Sequence, residues 1–264
     1  MHRFTTWLLA VIFAVPCWAQ SNYADWAAAG KPDFTLPAVA APPAILGGLT
    51  VFADLASFQA ATGGGFTVET FDGGFTGPGA VNTCIEPVNS ASNDVCFTPG
   101  DLIPGFGVTS SGGGGVVVLG DGFIGQPTAV IGANTFAETT ITTFNPPILA
   151  VALDVFSGSP AAGDVTVTAF DAGAVMIGSV TVTTGATNVS EFVGFTSATP
   201  VASIDVAAAN GGGELMDNLQ FGNPGQPMPE PAEVPTLSGP SLWLLAVLLL
   251  AVAGMALFRK YRTG

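Results

Sequence analysis

Histidine, arginine, tryptophan and tyrosine are nearly missing from the body of this sequence. The lone histidine is His2, no arginine stands between Arg3 and Arg259, and neither tryptophan nor tyrosine occurs from Ala27 to Leu242. Without an internal histidine there is no Ser-His-Asp triad, no Cys-His pair and no histidine metal site. Without arginine there is no bidentate clamp for phosphate or carboxylate. Platforms for stacking sugars fall to phenylalanine alone. Basic charge is equally scarce. Between Arg3 and Arg259 only Lys31 carries it, against 19 acidic residues that all lie between Asp25 and Glu233. Such a surface has no cationic footprint, so nucleic acid is excluded as a partner. An anionic membrane surface would repel it, and the acidity serves solubility or attracts divalent cations.

Cysteine is sparse too. Cys17 lies in the N-terminal segment, which leaves Cys84 and Cys96. Their spacing is wide for a metal-ligand pair, and no further Cys or His is there to complete a site. In an oxidising compartment they are expected to form a disulfide.

What is abundant sits at the two ends and in between as short β-rich runs. At the N-terminus, Arg3, the apolar "WLLAVIFAV" and the small residues of "CWA" (Cys17 to Ala19) read as a secretory signal peptide, residues 1–19, cleaved after Ala19. Cys17 raises a lipidation alternative, against which Pro16 stands. Residues 20–48 are rich in Ala and Pro and read as an extended arm. At the other end, Leu242 to Phe258 carries no charge and would extend roughly 25 Å as a helix, so a transmembrane helix is expected over 241–258. Arg259, Lys260 and Arg262 follow, which places the tail 259–264 in the cytoplasm and the rest outside.

"VPTLS" (Val234 to Ser238), then an apolar segment, then a basic end, resembles the IPTL-CTERM sorting signal, akin in layout to the PEP-CTERM signals of Gram-negative bacteria. Val234 stands where Ile is usual. The resemblance covers about 30 residues and implies recognition of Val234, Pro235, Thr236, Leu237 and Ser238 by an exosortase-type membrane protease. It implies an inner-membrane anchored precursor and then delivery to the cell surface or extracellular matrix. The "PEP" at Pro229 to Pro231 reads as part of a Pro-rich linker, 223–240.

The middle, 49–222, is large enough for one hydrophobic core. "ADLASFQAAT" (Ala53 to Thr62) predicts one short helix, capped by Asp54 and ended by glycines. After it come "GVVVLG", "ETTITTF", "ILAVALDVF", "DVTVTAF", "VMIGSVTVTT", "EFVGFT" and "VASIDVAAA", short runs of Val, Thr, Ile and Phe parted by Gly, Pro, Asn or Asp. Val165, Val167 and Ala169 share one face of "DVTVTAF", Thr166 and Thr168 the other. The expected fold class is therefore all-β, an antiparallel β-sandwich with one short N-terminal helix, plus the C-terminal transmembrane helix. Gly112 to Gly115 open no helix and read as a loop rather than a nucleotide-binding turn.

"FADLASFQAAT", "ITTFNPPILAVALDVF", "EFVGFTSATPVASIDV" and "ELMDNLQFG" resemble the ectodomains of PEP-CTERM and IPTL-CTERM proteins. That resemblance implies a galactose-binding-like jelly roll and no catalytic signature. In "GGGELMDNLQFG", Glu214, Asp217 and Asn218 are candidate ligands for Ca2+; the alternative is that Asp217 and Asn218 only turn the chain, with Leu219 and Phe221 as core positions. No other cofactor is expected. The functions left open are a non-enzymatic structural or adhesive surface protein, a polysaccharide-binding or calcium-binding module, and a glycosidase relying on paired carboxylates.

Overall fold

A computed structural model of the chain describes residues 22–31, 45–64, 66–158, 163–185 and 189–225. All of them belong to the first of two compact units, Met1–Met228. In chain order the elements are α1 (Tyr23–Ala28), β1 (Ile45–Gly47), β2 (Leu49–Phe52), α2 (Leu55–Thr62), β3 (Val68–Glu69), β4 (Val81–Cys84), β5 (Val88–Asn89), β6 (Phe106–Ser110), β7 (Val116–Leu119), β8 (Val130–Ala133), β9 (Thr140–Ser157), β10 (Gly163–Phe170), β11 (Met176–Thr184), β12 (Glu191–Ala208) and β13 (Glu214–Gly222). Every pairing is antiparallel.

Two strands of 18 residues, β9 and β12, organise the rest. Each serves two layers. The start of β9 (Thr140 to Phe144) pairs with β6, and its end pairs with β13. The start of β12 pairs with β2 and its end with β10. Between the halves, β9 contains Pro146 and Pro147 and β12 contains Pro200, next to the register shifts of their pairing. Proline donates nothing to a ladder, so a bend there breaks few bonds. The halves then face each other. Val151, Leu153 and Phe195 from one layer and Val165, Val167, Ile204 and Val206 from the other meet in one apolar core. The architecture is all-β and β-sandwich-like, as the strand pattern predicts.

The expected fold class nevertheless needs correction. All 13 strands join one hydrogen-bonded network through β9 and β12, rather than two separate sheets of a jelly roll. Among the described residues there are two α-helices rather than one. The additional one, α1, lies inside the stretch read as an extended arm, where Asn22 caps it and Tyr23 and Trp26 are buried. Six residues with two apolar anchors carry too little periodicity to stand out from an Ala-rich context. Among the described residues no helix is long and apolar enough to cross a membrane; the segment 241–258, on which that expectation fell, lies outside the described residues, as do the signal-peptide segment 1–19, the tail 259–264 and the motif Val234 to Ser238.

The helices explain why β7 and β8 are buried on both faces. The layer containing them packs its inner face on the sandwich core. On its outer face α1 covers Val117, Leu119, Val130 and Leu215, and α2 sets Phe58 against Ala150 and Ala152. Covering both faces converts the alternating pattern of a half-buried strand into continuous apolar runs. α2 is capped as its sequence predicts: the Asp54 carboxylate accepts from Ser57 N at 2.8 Å, and Gly63 closes the helix at φ +82°.

Cys84 and Cys96 are joined by a disulfide. Replacing both with serine should lower unfolding stability by roughly 2–3 kcal/mol, the chain entropy released when a short loop is opened. Urea denaturation measures this, and an unchanged midpoint would show that the loop is held by its other contacts alone.

Candidate functional site

The site grows out of the pairing of β9 with β13. Along β9 the residues pointing to the core are Val151, Leu153 and Val155, so the opposite row, Ala150, Ala152 and Asp154, points outward. On β13, Gln220 stands opposite Ala152 and Asp217 opposite Asp154. Asp217 and Gln220 are three residues apart and would face opposite sides of a regular strand. A register shift between them, with Asn218 at φ +50°, absorbs the extra residue and leaves both on the outward row.

Asp217 is fully buried. Its Oδ2 accepts from Thr128 Oγ1 at 2.6 Å and its Oδ1 from Asn218 N at 2.6 Å. Loss of solvent raises its pKa to about 6; the two hydrogen bonds oppose the rise, and the charges of Asp72 and Asp154 add to it. Asn218 in turn donates from Nδ2 to Asp154 Oδ2 at 2.8 Å.

Above this layer lies a cleft of about 370 Å³, lined by Asp54 and Leu55 at the start of α2, Val68 of β3, Asp154, Phe192 of β12, Asn218 and Gln220. That volume is within the range of small-ligand sites. Gln220 is only 3% exposed, and its amide, which has no hydrogen-bond partner among the described residues, opens onto the cleft it lines. Asp154 Oδ1 and Asn218 Oδ1 receive no protein donor either. Such polar atoms are satisfied by water or by a ligand in the cleft. The cleft is rich in acceptors, holds one aromatic face and lacks any cation.

The three residues singled out as calcium ligands do not converge. Glu214 lies on the core side of β13, between the outward Gly213 and Leu215, and accepts from Thr140 Oγ1 at 2.8 Å. Asp217 lies on the outward side with Thr128. Only Asp217 and Asn218 belong to one constellation, and it includes Asp154, which is not among the residues expected from the sequence. The signal for Asp154 was present as the single charge inside "ILAVALDVF". Gln220 and Phe192 carried no such mark.

Glu214 has a different setting. It is almost fully buried, and its Oε2 has no partner; the nearby hydroxyl of Tyr23 has none either. Burial pushes the carboxyl of Glu214 well above its usual range, because a charge there would be costly. Tyr23 fits because two glycines make room: a Cβ at Gly158 would lie 2.1 Å from its hydroxyl and one at Gly213 2.8 Å.

Among the described residues, Cys84, Asp94 and Cys96 form the one cluster close enough to share a metal. The chemistry of the donors does not fit. Disulfide sulfurs are not thiolates, and Asp94 is occupied by the backbone N–H groups of Ile85, Cys96 and Phe97.

No protein-family profile matches the sequence, and no curated protein matches it. Among solved structures, the enzymatically active domain of bacteriophage CBA120 tailspike protein 4 is similar at a TM-score of 0.27 and 14% identity, over 45% of this chain and 19% of that one. The chain thus spans about a fifth of the tailspike domain's length, and a likeness this slight carries no functional argument.

Proposed function

We propose that this chain is exported, is sorted through Val234 to Ser238 by an exosortase-type membrane protease, and reaches the cell surface or extracellular matrix of a Gram-negative bacterium, where the β-sandwich-like domain is a non-enzymatic adhesive module. The adhesive part rests on one observation. The outward face of the β9–β13 seam forms a cleft of ligand size with unbonded polar atoms and no reactive set. A glycosidase needs a carboxylic acid of raised pKa open to the scissile bond. Asp217 has the raised pKa but is sealed beneath the cleft with both oxygens engaged. The export part is supported by the order of apolar N-terminal run, acidic histidine-free body and "VPTLS" before an apolar and then basic end.

The test separates a signal read by a protease from a neutral linker. Replacing Pro235 and Thr236 with alanine in the native cell barely changes hydrophobicity. The expected result is accumulation of the unprocessed form and loss of the surface fraction, read by immunoblot of cell fractions and by surface labelling. Processing and location identical to the wild type would sink the sorting assignment.

A further inference from the structure

We propose that the cleft between α2, β3, β9, β12 and β13 binds a protonated amino sugar unit of a polysaccharide, with Asp154 taking the ammonium group. This rests on the adhesive reading above and gives it a ligand class. The argument begins with the balance of donors and acceptors. Asp154 Oδ1, Asn218 Oδ1 and the Gln220 carbonyl are three acceptors without a protein donor. The Asn218 amide NH2 is already committed to Asp154, so the Gln220 NH2 is the donor left over. A ligand that satisfies this set must itself be rich in donors.

Charge narrows the class. No cation lines the cleft, and the one lysine among the described residues, Lys31, is engaged elsewhere, donating to the Phe123 carbonyl and lying 3.9 Å above the Phe123 ring. Anionic saccharides would meet Asp154 and Asp54 unshielded. A neutral hydroxyl-rich ring would satisfy the amides and leave the carboxylate without a counter-charge. An ammonium group beside hydroxyls answers both, with a charge-assisted hydrogen bond to Asp154.

Shape supplies the third part. Phe192, Leu55 and Val68 give the cleft an apolar wall next to its polar floor, the arrangement that suits a pyranose, whose C–H face is apolar and whose rim carries hydroxyls. Gln220 decides between a site and an accident of packing. It is 3% exposed and has no protein partner, so what exposure its amide has is into the cleft it lines, not onto the open surface.

Titration calorimetry on the purified full chain tests this with three probes: a soluble glucosamine oligomer, its N-acetylated counterpart, and Ca2+ alone. The glucosamine oligomer is expected to bind, and the N-acetylated form about tenfold more weakly or less, since the ammonium contact is gone. Asp154→Asn and, independently, Gln220→Leu should each weaken glucosamine binding by about tenfold while circular dichroism stays that of the wild type. Equal affinity for both oligomers, lost together in Gln220→Leu, would overturn the ammonium assignment and leave the adhesive reading standing. Binding that ignores both substitutions, or no binding by either oligomer, overturns the site itself. Asp154-dependent binding of Ca2+ without binding of glucosamine would overturn it in favour of a cation site. None of these outcomes touches the processing result for Pro235 and Thr236, so the failure of one reading is distinguishable from the failure of the other.

Discussion

Trp26→Ala is expected to be among the most damaging single substitutions in this domain. Trp26 is 4% exposed and packs against Phe123 and Phe136, with ring centroids 6.1 and 6.3 Å away. Truncating a buried Trp removes about 3–5 kcal/mol where the surroundings cannot collapse. Here one escape exists. A helix of six residues has no stability of its own, so α1 will detach once its loss exceeds the docking free energy. Detachment uncovers Val117, Leu119, Val130 and Leu215 on the outer face of the sheet. The expected result is therefore a marked drop in the urea midpoint together with a smaller m-value and binding of a hydrophobic dye, because part of the apolar surface is exposed before global unfolding. Trp26→Phe should recover most of the loss. If Trp26→Ala leaves midpoint, m-value and dye binding unchanged, α1 is an ornament and the outer face is protected in another way.

Asp217 should make the domain more stable in mild acid than at neutral pH. Its pKa is raised from an ordinary 3.8 to about 6 in the folded protein, so the folded state holds the proton more tightly than the unfolded chain does. The stabilisation is fully present below about pH 4 and is lost as pH rises through about 6, a swing of about 3 kcal/mol for a shift of this size. Glu214 acts in the same direction over a higher range, since burial raises it further. Asp217→Asn mimics the protonated form and retains an acceptor for the Asn218 N–H. The variant should show a shallower slope between about pH 4 and 6, the remainder coming from Glu214, Glu69 and Asp205, whose carboxyls burial also raises, and should exceed the wild type at pH 7 by about 2–3 kcal/mol. Chemical denaturation at a series of pH values provides the measurement. Parallel curves for the two proteins would mean that Asp217 is not the group that titrates.

The two carboxylates also show why a buried acid deserves a reason. Both Asp217 oxygens are hydrogen-bonded, while Glu214 keeps one oxygen unpaired beside the unpaired hydroxyl of Tyr23. Asp217 supports the floor of a cleft through Asn218, so its constraint has a use at the surface. For the unpaired atoms of Glu214 and Tyr23 the structure offers no surface counterpart.

Local chemistry was enough to specify much of this molecule. The alternation of Val165, Val167 and Ala169 with Thr166 and Thr168 determined a strand with one buried face. Asp54 and Gly63 determined the ends of α2, because capping is a matter of residues within one turn. The two cysteines of the body had only each other. The missing histidines and arginines ruled out chemistries whatever the fold. Four things were decided by tertiary structure alone. The bends of β9 and β12 merged two layers into one network, since a strand's partner lies far along the chain and its register leaves no local mark. α1 formed because an apolar sheet face needed covering; its own propensity and two anchors would not have sufficed. Glu214 and Asp217, three residues apart, went to opposite sides of β13 because side chains alternate along a strand. The bulge at Asn218 then brought Asp217 back into line with Gln220 and put it opposite Asp154, 63 residues earlier in the sequence. A cleft is a relation among such distant residues, and only the folded chain makes it.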